Sequence, residues 1–164
     1  MKTILLIRHA KSDWSVPSLG DFHRALNERG LKDAPRMAER LKKRQIPIDA
    51  FISSTAKRAF TTAEFFVRAF DLEPEKIIKE PDLYHATPDV FRRVVEDCPD
   101  GFSTIALFSH NPGITDFVNS LTRTRLDNMP TCGIFAVKIH TEKWKEYQKA
   151  EKEFLFFDYP KLAD

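Results

Sequence analysis

The chain has 164 residues, 42% hydrophobic and 30% charged, an ordinary composition for a folded protein and too apolar for a disordered one. That length suits one domain over 1–164, able to bury roughly two-thirds of its unfolded surface around a single core. Its 26 basic and 24 acidic residues are mixed along the sequence for a formal net charge of +2, leaving no basic arm or stripe of the kind nucleic-acid binders carry.

After Lys2, the run Thr3 to Ile7 is β-branched and leucine-rich, the pattern of a strand buried on both faces of a parallel sheet. The run is too short for a signal-peptide core or a membrane span, so a cytoplasmic protein with no membrane partner is expected. The strand ends in Arg8 and His9. A polar loop through Pro17 and Gly20 follows, and then Asn27 to Arg44 sets Leu31, Ala34, Ala38 and Leu41 on one helical face. Lys42, Lys43 and Arg44 complement the negative end of that helix, while Pro35 either kinks the rod or marks its first turn.

Ala50 to Ser53 is a second apolar run. The "SST" at 53–55 offers N-cap candidates for a helix whose Ala59, Ala63, Phe66, Val67 and Phe70 form a core stripe, with Arg58 in its first turn. Ile77 and Ile78 predict a small third strand, and Thr87 with Pro88 opens a helix through Phe91, Val94 and Val95. Thr104 to Phe108 is another fully apolar strand, followed by Ser109, His110, Asn111, Pro112 and Gly113 and a helix through Ile114, Phe117, Val118 and Leu121. Ile134 to Ile139 and Phe154 to Phe157 close the series as strands, the latter read as packed on both sides. The charged segment Thr141 to Glu153 between them is a long hairpin or a short helix. Strands alternating with helices predict a three-layer α/β/α sandwich around a mostly parallel sheet.

Ligands of such sheets bind outside the carboxyl ends of the strands. That edge collects Arg8 and His9 from the first strand, Arg58 from the helix after the second, and Ser109 and His110 from the "TIALF" strand. Each has a bland alternative as a surface cation or a structural histidine. Together they favour an anion, because cations have no reason to crowd without one between them. Two guanidinium forks near helix N-termini suit a phosphoryl dianion. A neutral imidazole beside it can attack phosphorus and split a hard hydrolysis into two steps through a phosphohistidine, while the second neutralises the equatorial oxygens. Cys98 and Cys132 offer neither a disulfide framework nor zinc spacing and are expected to be reduced thiols. The Gly-x-Ser-x-Gly elbow that would make Ser109 a hydrolase nucleophile is missing.

The motifs "LIRHAKSDW" (6–14), "LNERG" and "MAERL" (26–30 and 37–41), "SSTAKRAFTTA" (53–63), "SHNPGI" (109–114) and "PTCGI" (130–134) resemble the histidine phosphatase superfamily, with its phosphoglycerate mutase-like fold. Within it they look most like the SixA-type phosphohistidine phosphatases, and the resemblance runs from residue 3 to about 140. It implies that His9 is the phosphorylated nucleophile, that Arg8 and Arg58 clamp the phosphate, that His110 completes the pocket, and that no metal or other cofactor is needed. Asn111 joins the substrate-binding candidates. Ser15 stands where mutase-like members often present an asparagine, so its shorter side chain would reach the phosphate only through water. Ala10 replaces the glycine common after the histidine, which requires a backbone compatible with a Cβ.

The general acid is the main departure: where relatives carry a glutamate soon after a leucine, Leu83-Tyr84 is followed by His85. His85, Glu80 or Asp82 is then an optional donor, and His85 can equally be a solvent-facing loop residue. Expelling an alkoxide needs a positioned acid worth ~10²–10⁴ in rate, whereas an imidazole leaves phosphorus with less help. The expected function is therefore a metal-independent phosphatase acting on protein phosphohistidine or a small phosphomonoester. The alternative is an inactive adaptor that only binds phosphate. Few residues separate Arg58 from His110, which leaves little material for a lid and predicts a pocket open to a side chain presented by a protein partner.

Overall fold

The computed structural model describes residues 1–162. Six strands form one sheet: β1 (Lys2–Arg8), β2 (Ala50–Ser53), β3 (Ile78–Lys79), β4 (Thr104–Ser109), β5 (Ile134–Ile139) and β6 (Lys152–Asp158), in the spatial order β3-β2-β4-β1-β5-β6. The first four run parallel, and β5 and β6 join antiparallel at one side. Helices α1 (Glu28–Lys43), α2 (Lys57–Ala69), α3 (Pro88–Glu96) and α4 (Gly113–Leu121) cover the two faces. Among the described residues no helix is long and apolar enough to cross a membrane.

The three layers follow from the alternation of side chains along each strand. Leu5 and Ile7 of β1, with Phe51, Ala106, Phe108 and Ala136, pack against Ala34, Met37, Ala38 and Leu41 of α1 and Ala63, Phe66 and Val67 of α2. Ile4 and Leu6, with Ile52, Ile105, Leu107 and Val137, pack on the other side against Phe91 and Val95 of α3 and Ile114, Phe117 and Val118 of α4. The mostly parallel α/β sandwich expected from the alternating elements is the fold observed.

Several details differ. Asn27 caps α1 by accepting from the Gly30 amide at 2.8 Å, and the helix runs through Pro35 rather than starting there. The proline costs one hydrogen bond to the Leu31 carbonyl, and packing on the sheet and α2 holds the rod together. Leu31 is not on the core stripe. It is exposed, and Met37 fills the stripe instead. A Cβ on Gly30 would lie 2.2 Å from the Lys11 carbonyl oxygen, so Gly30 is the residue that meets the loop after β1, and Leu31 turns outward. Of the predicted third strand, Ile77 is buried and Ile78 exposed at the sheet edge. β6 is the opposite edge strand: Phe154 and Leu155 are exposed, while Phe156 and Phe157 are half-buried against the two opposite cores, so only its second half is packed on both sides. The Thr141 to Glu153 segment is a hairpin connection carrying one short 3₁₀ turn at Trp144–Glu146, its last two residues already paired in β6.

Candidate active site

The register of the parallel strands puts three chain segments side by side. Arg8 at the end of β1 pairs with Ser109 at the end of β4, and Ser53 at the end of β2 pairs with Phe108. The next residues therefore emerge at one level: His9 donates its amide to the Ser109 carbonyl at 3.2 Å, and Ser54 donates to the Phe108 carbonyl at 3.0 Å. His9, Ser54 and His110 become neighbours although up to a hundred residues separate them. The His9 and His110 ring centroids are 5.1 Å apart, and His110 Nε2 shares a 2.8 Å hydrogen bond with Ser54 Oγ.

Around them a cavity of about 360 Å³ is lined by Arg8, His9, Lys11, Ser12, Trp14, Asp21, Arg24, Arg58, His85, His110, Asn111 and Thr131. Four cationic side chains thus face one carboxylate, Asp21. The backbone of His9 is clamped from both sides, because its carbonyl accepts from the Cys132 amide at 3.0 Å. The following amide, Ala10, donates to Thr62 Oγ1 at 3.0 Å, and that hydroxyl donates to the Arg58 carbonyl at 2.8 Å. Thr62 therefore ties the histidine loop to the first turn of α2. Ala10 is fully buried and is not among the residues with positive φ, so its Cβ is accommodated without strain.

His9 Nδ1 lies 2.7 Å from the Ala10 carbonyl oxygen. A carbonyl only accepts, so Nδ1 carries the proton and Nε2 keeps its lone pair. Burial, joined by the charges of Arg8, Arg58 and Arg24, pushes the His9 pKa down to about 3. Burial and then the neighbouring His9 and Arg58 push His110 down to about 2. Both imidazoles are neutral near pH 7.

The arginines are fixed differently. Arg8 Nη1 donates to the Met129 carbonyl at 2.9 Å. Arg58 Nη1 and Nη2 donate to the carbonyl and carboxylate of Asp21 at 2.6 and 3.0 Å. Arg8 Nε, Arg58 Nε and His110 Nδ1 are buried with no hydrogen-bond partner in the protein, a costly condition that an anion in the cavity would relieve at the guanidiniums. Burial opposes the Asp21 charge, but hydrogen bonds from Tyr84, at 2.5 Å, and from Arg58 outweigh it and hold the carboxyl well below the usual range. Arg24 completes the cluster, donating to Asp21 at 2.7 Å and to Ser12 Oγ at 3.0 Å.

Of the residues expected from sequence, Arg8, His9, Arg58, His85, His110 and Asn111 all line the cavity. Asn111 spends its amide on Asn128 Oδ1 and the Met129 carbonyl, at 2.8 and 3.0 Å, and its oxygen accepts from Thr115. It braces the Met129 loop that holds Arg8. Ser15 stands apart: it is exposed, its amide donates to Asp13 Oδ1 at 2.8 Å, and Ser12 is the serine on the cavity wall. Glu80 and Asp82 are also elsewhere, both ion-paired to Arg93, which leaves His85 as the donor candidate beside the cavity. Its ring packs 3.8 Å from that of Tyr84, on a backbone at φ 58°. The "SST" serines do not cap α2, whose N-cap is Ala56 with no side-chain hydrogen bond; Ser54 holds His110 instead. Asp21, Arg24, Ser54, Thr62 and Tyr84 escaped sequence reasoning. Among the described residues no three His, Cys, Asp or Glu side chains converge as a metal site.

Comparison with known proteins places this geometry. The family model described as "Histidine phosphatase superfamily (branch 1)" matches residues 4–86. A structure from Agrobacterium tumefaciens assigned as a phosphohistidine phosphatase SixA superposes with a TM-score of 0.81 at 24% identity, covering 97% of this chain and 98% of that one. The protein histidine phosphatase SixA complexed with tungstate also gives 0.81, at 19% identity over 96% and 97% of the two chains. A metal-independent phosphoserine phosphatase of Arabidopsis thaliana is 40% identical over 82 residues, 49% of this chain and 33% of that protein. These likenesses share the phosphoglycerate mutase-like fold, and the matched segment carries Arg8, His9 and Arg58. The chain belongs to the histidine phosphatase superfamily, branch 1.

Proposed function

We propose that the chain, acting as one domain, removes the phosphoryl group from protein phosphohistidine or a small phosphomonoester through a phosphoenzyme on His9. The observation that carries this reading is the 2.7 Å contact of His9 Nδ1 with the Ala10 carbonyl, which fixes the neutral tautomer with a free Nε2 lone pair in a cationic cavity. In the first step Nε2 attacks phosphorus, an N–P bond forms, and the bond from phosphorus to the leaving imidazole or alkoxide breaks. In the second, water attacks phosphorus, the N–P bond breaks, and His9 and inorganic phosphate are released. Arg8 and Arg58 hold the equatorial oxygens as charge spreads over them, and His110, held by Ser54, donates to them.

A phosphohistidine ring takes a proton from solvent on its second nitrogen and then leaves as neutral imidazole. A pocket whose one carboxylate is engaged by Arg58, Arg24 and Tyr84 therefore suits phosphohistidine better than an alkyl phosphate, whose leaving oxygen must be protonated within the site. His85 is the proton donor we assign for aryl and alkyl substrates. The test is hydrolysis of a phosphohistidine peptide and of p-nitrophenyl phosphate by wild type and His9→Ala. Turnover lost in the variant supports the reading. Binding with no hydrolysis by wild type would instead support a phosphate-binding adaptor.

A further inference from the structure

The segment between β1 and α1 crosses the rim of the cavity and turns large apolar side chains outward. Trp14 is 73% exposed, Val16 48%, Leu19 46% and Phe22 37%, although burying such groups is the main drive of folding. These are four of the ten large hydrophobic side chains exposed among the described residues, gathered within nine positions. Trp14 is part of the cavity wall that includes His9, Arg58 and His110, whereas Val16, Leu19 and Phe22 are not part of that wall.

The segment is anchored. Ser12 bridges to Leu26, and Asp13 donates its amide to the Ala25 carbonyl at 2.8 Å. Asp21 is bound to Arg58, and the Phe22 carbonyl accepts from the Lys57 amide at 3.0 Å, with the Phe22 ring set edge-on to Tyr84. The Arg24 guanidinium lies 3.6 Å over the Trp14 ring while bonded to Ser12 and Asp21. That stacking holds the indole in place. A rigid aromatic next to a pocket contributes binding energy with little ordering cost.

A small phosphomonoester that fits the cavity does not reach Val16 or Leu19. A ligand that enters the cavity and continues past Trp14 would cover them, and Trp14, which belongs to both the apolar segment and the cavity wall, favours the molecule carrying the phosphoryl group as that ligand. We propose that Trp14, Val16, Leu19 and Phe22 form a docking surface for the protein that presents phosphohistidine, and that it takes apolar side chains flanking the phosphorylated residue. This rests on the phosphohistidine reading above and adds a sequence preference to it.

The test uses His9→Ala protein and nine-residue phosphohistidine peptides with leucine or serine at the two positions on each side of the phosphohistidine. Binding is followed by tryptophan fluorescence, since Trp144, the second of two tryptophans, is buried. The leucine peptide should bind about tenfold tighter, and Val16→Ser with Leu19→Ser should abolish that preference. In the wild-type background the same pair should leave kcat/KM for p-nitrophenyl phosphate unchanged. Equal affinities for the two peptides, a preference that survives the double substitution, or a dimer in sedimentation that the substitution dissociates would each overturn the proposal. Failure of the phosphohistidine reading has its own signature, the absence of phosphoryl label on His9 after incubation of wild type with either peptide.

Discussion

Lowering the pH from 7 to 5 should destabilise the fold through its two buried imidazoles. His9 is held near pKa 3 in the folded chain, against about 6.5 when unfolded. Between those values the unfolded chain binds a proton that the folded chain refuses, so stability is full above pH 6.5 and falls as the pH drops toward 3. At pH 5 the gap to the unfolded value is about 1.5 units, or about 2 kcal/mol at ~1.36 kcal/mol per unit. His110, lowered to about 2, has the same sign and roughly the same cost, against a total stability of about 5–15 kcal/mol for a typical domain. Unfolded carboxyl groups titrate near pH 4, so the window from 7 to 5 isolates the imidazoles. Urea denaturation at pH 7, 6 and 5 measures the loss. His9→Asn, which cannot charge, should retain about half of the wild-type slope, and millimolar phosphate, by supplying a counter-charge, should flatten the wild-type curve. Parallel curves for wild type and His9→Asn, or a wild-type stability that does not change, would refute the reasoning.

Arg58→Ala should weaken orthovanadate binding on the order of 100-fold, because charge-assisted hydrogen bonds contribute roughly 1.5–3 kcal/mol each; calorimetry reads it, and a change below threefold would remove Arg58 from the phosphate site. Thr62→Val deletes the hydroxyl that accepts the Ala10 amide and donates to the Arg58 carbonyl, leaving a buried donor unmet at about 1–3 kcal/mol. Urea denaturation should show that loss together with a lower kcat, and an unchanged midpoint would mean the tie is dispensable. His85→Asn keeps a side chain that tolerates positive φ. It should slow p-nitrophenyl phosphate turnover tenfold or more while sparing a phosphohistidine peptide, and if both rates stay the same His85 is not the donor.

The sheet was legible because its strands are continuous apolar runs, and the helices because their apolar residues recur every three or four positions. Thr3–Ile7 and Thr104–Phe108 carry no information about being neighbours, yet the Arg8 to Ser109 pairing is what joins His9 to His110. The strand-end rule for parallel sheets supplied that step. Leu31 is exposed because the packed face of α1 is centred on Gly30, Ala34, Met37 and Leu41, with Gly30 set against Lys11, and a glycine in that stripe gives no apolar signal. Phe156 and Phe157 pack on opposite faces as expected, whereas the exposure of Phe154 and Leu155 was not legible because an edge strand and a central strand share the same apolar composition.

Arg8, His9 and His110 stood out by ending or following strands, and Arg58 by lying in the first turn of the helix after one. Asp21, Tyr84 and Ser54 did not, because each acts through a partner distant in sequence. For Ser54 a signal existed: it lies three residues before Lys57, the first residue of α2, so the cap position falls on Ala56, and the Ser54 hydroxyl accepts from the Ala56 amide while it holds His110. Asp21 and Arg24 lie three apart in a loop where no helix is expected, a pairing that gained meaning only once Arg58 was seen to reach Asp21.

The most direct test of a histidine nucleophile is to quench turnover of a labelled phosphohistidine peptide and map the phosphoryl group on the protein by mass spectrometry. An acid-labile, alkali-stable label on His9, absent from His9→Ala, is the result expected. Label on another residue, or full turnover by His9→Ala, would contradict the account.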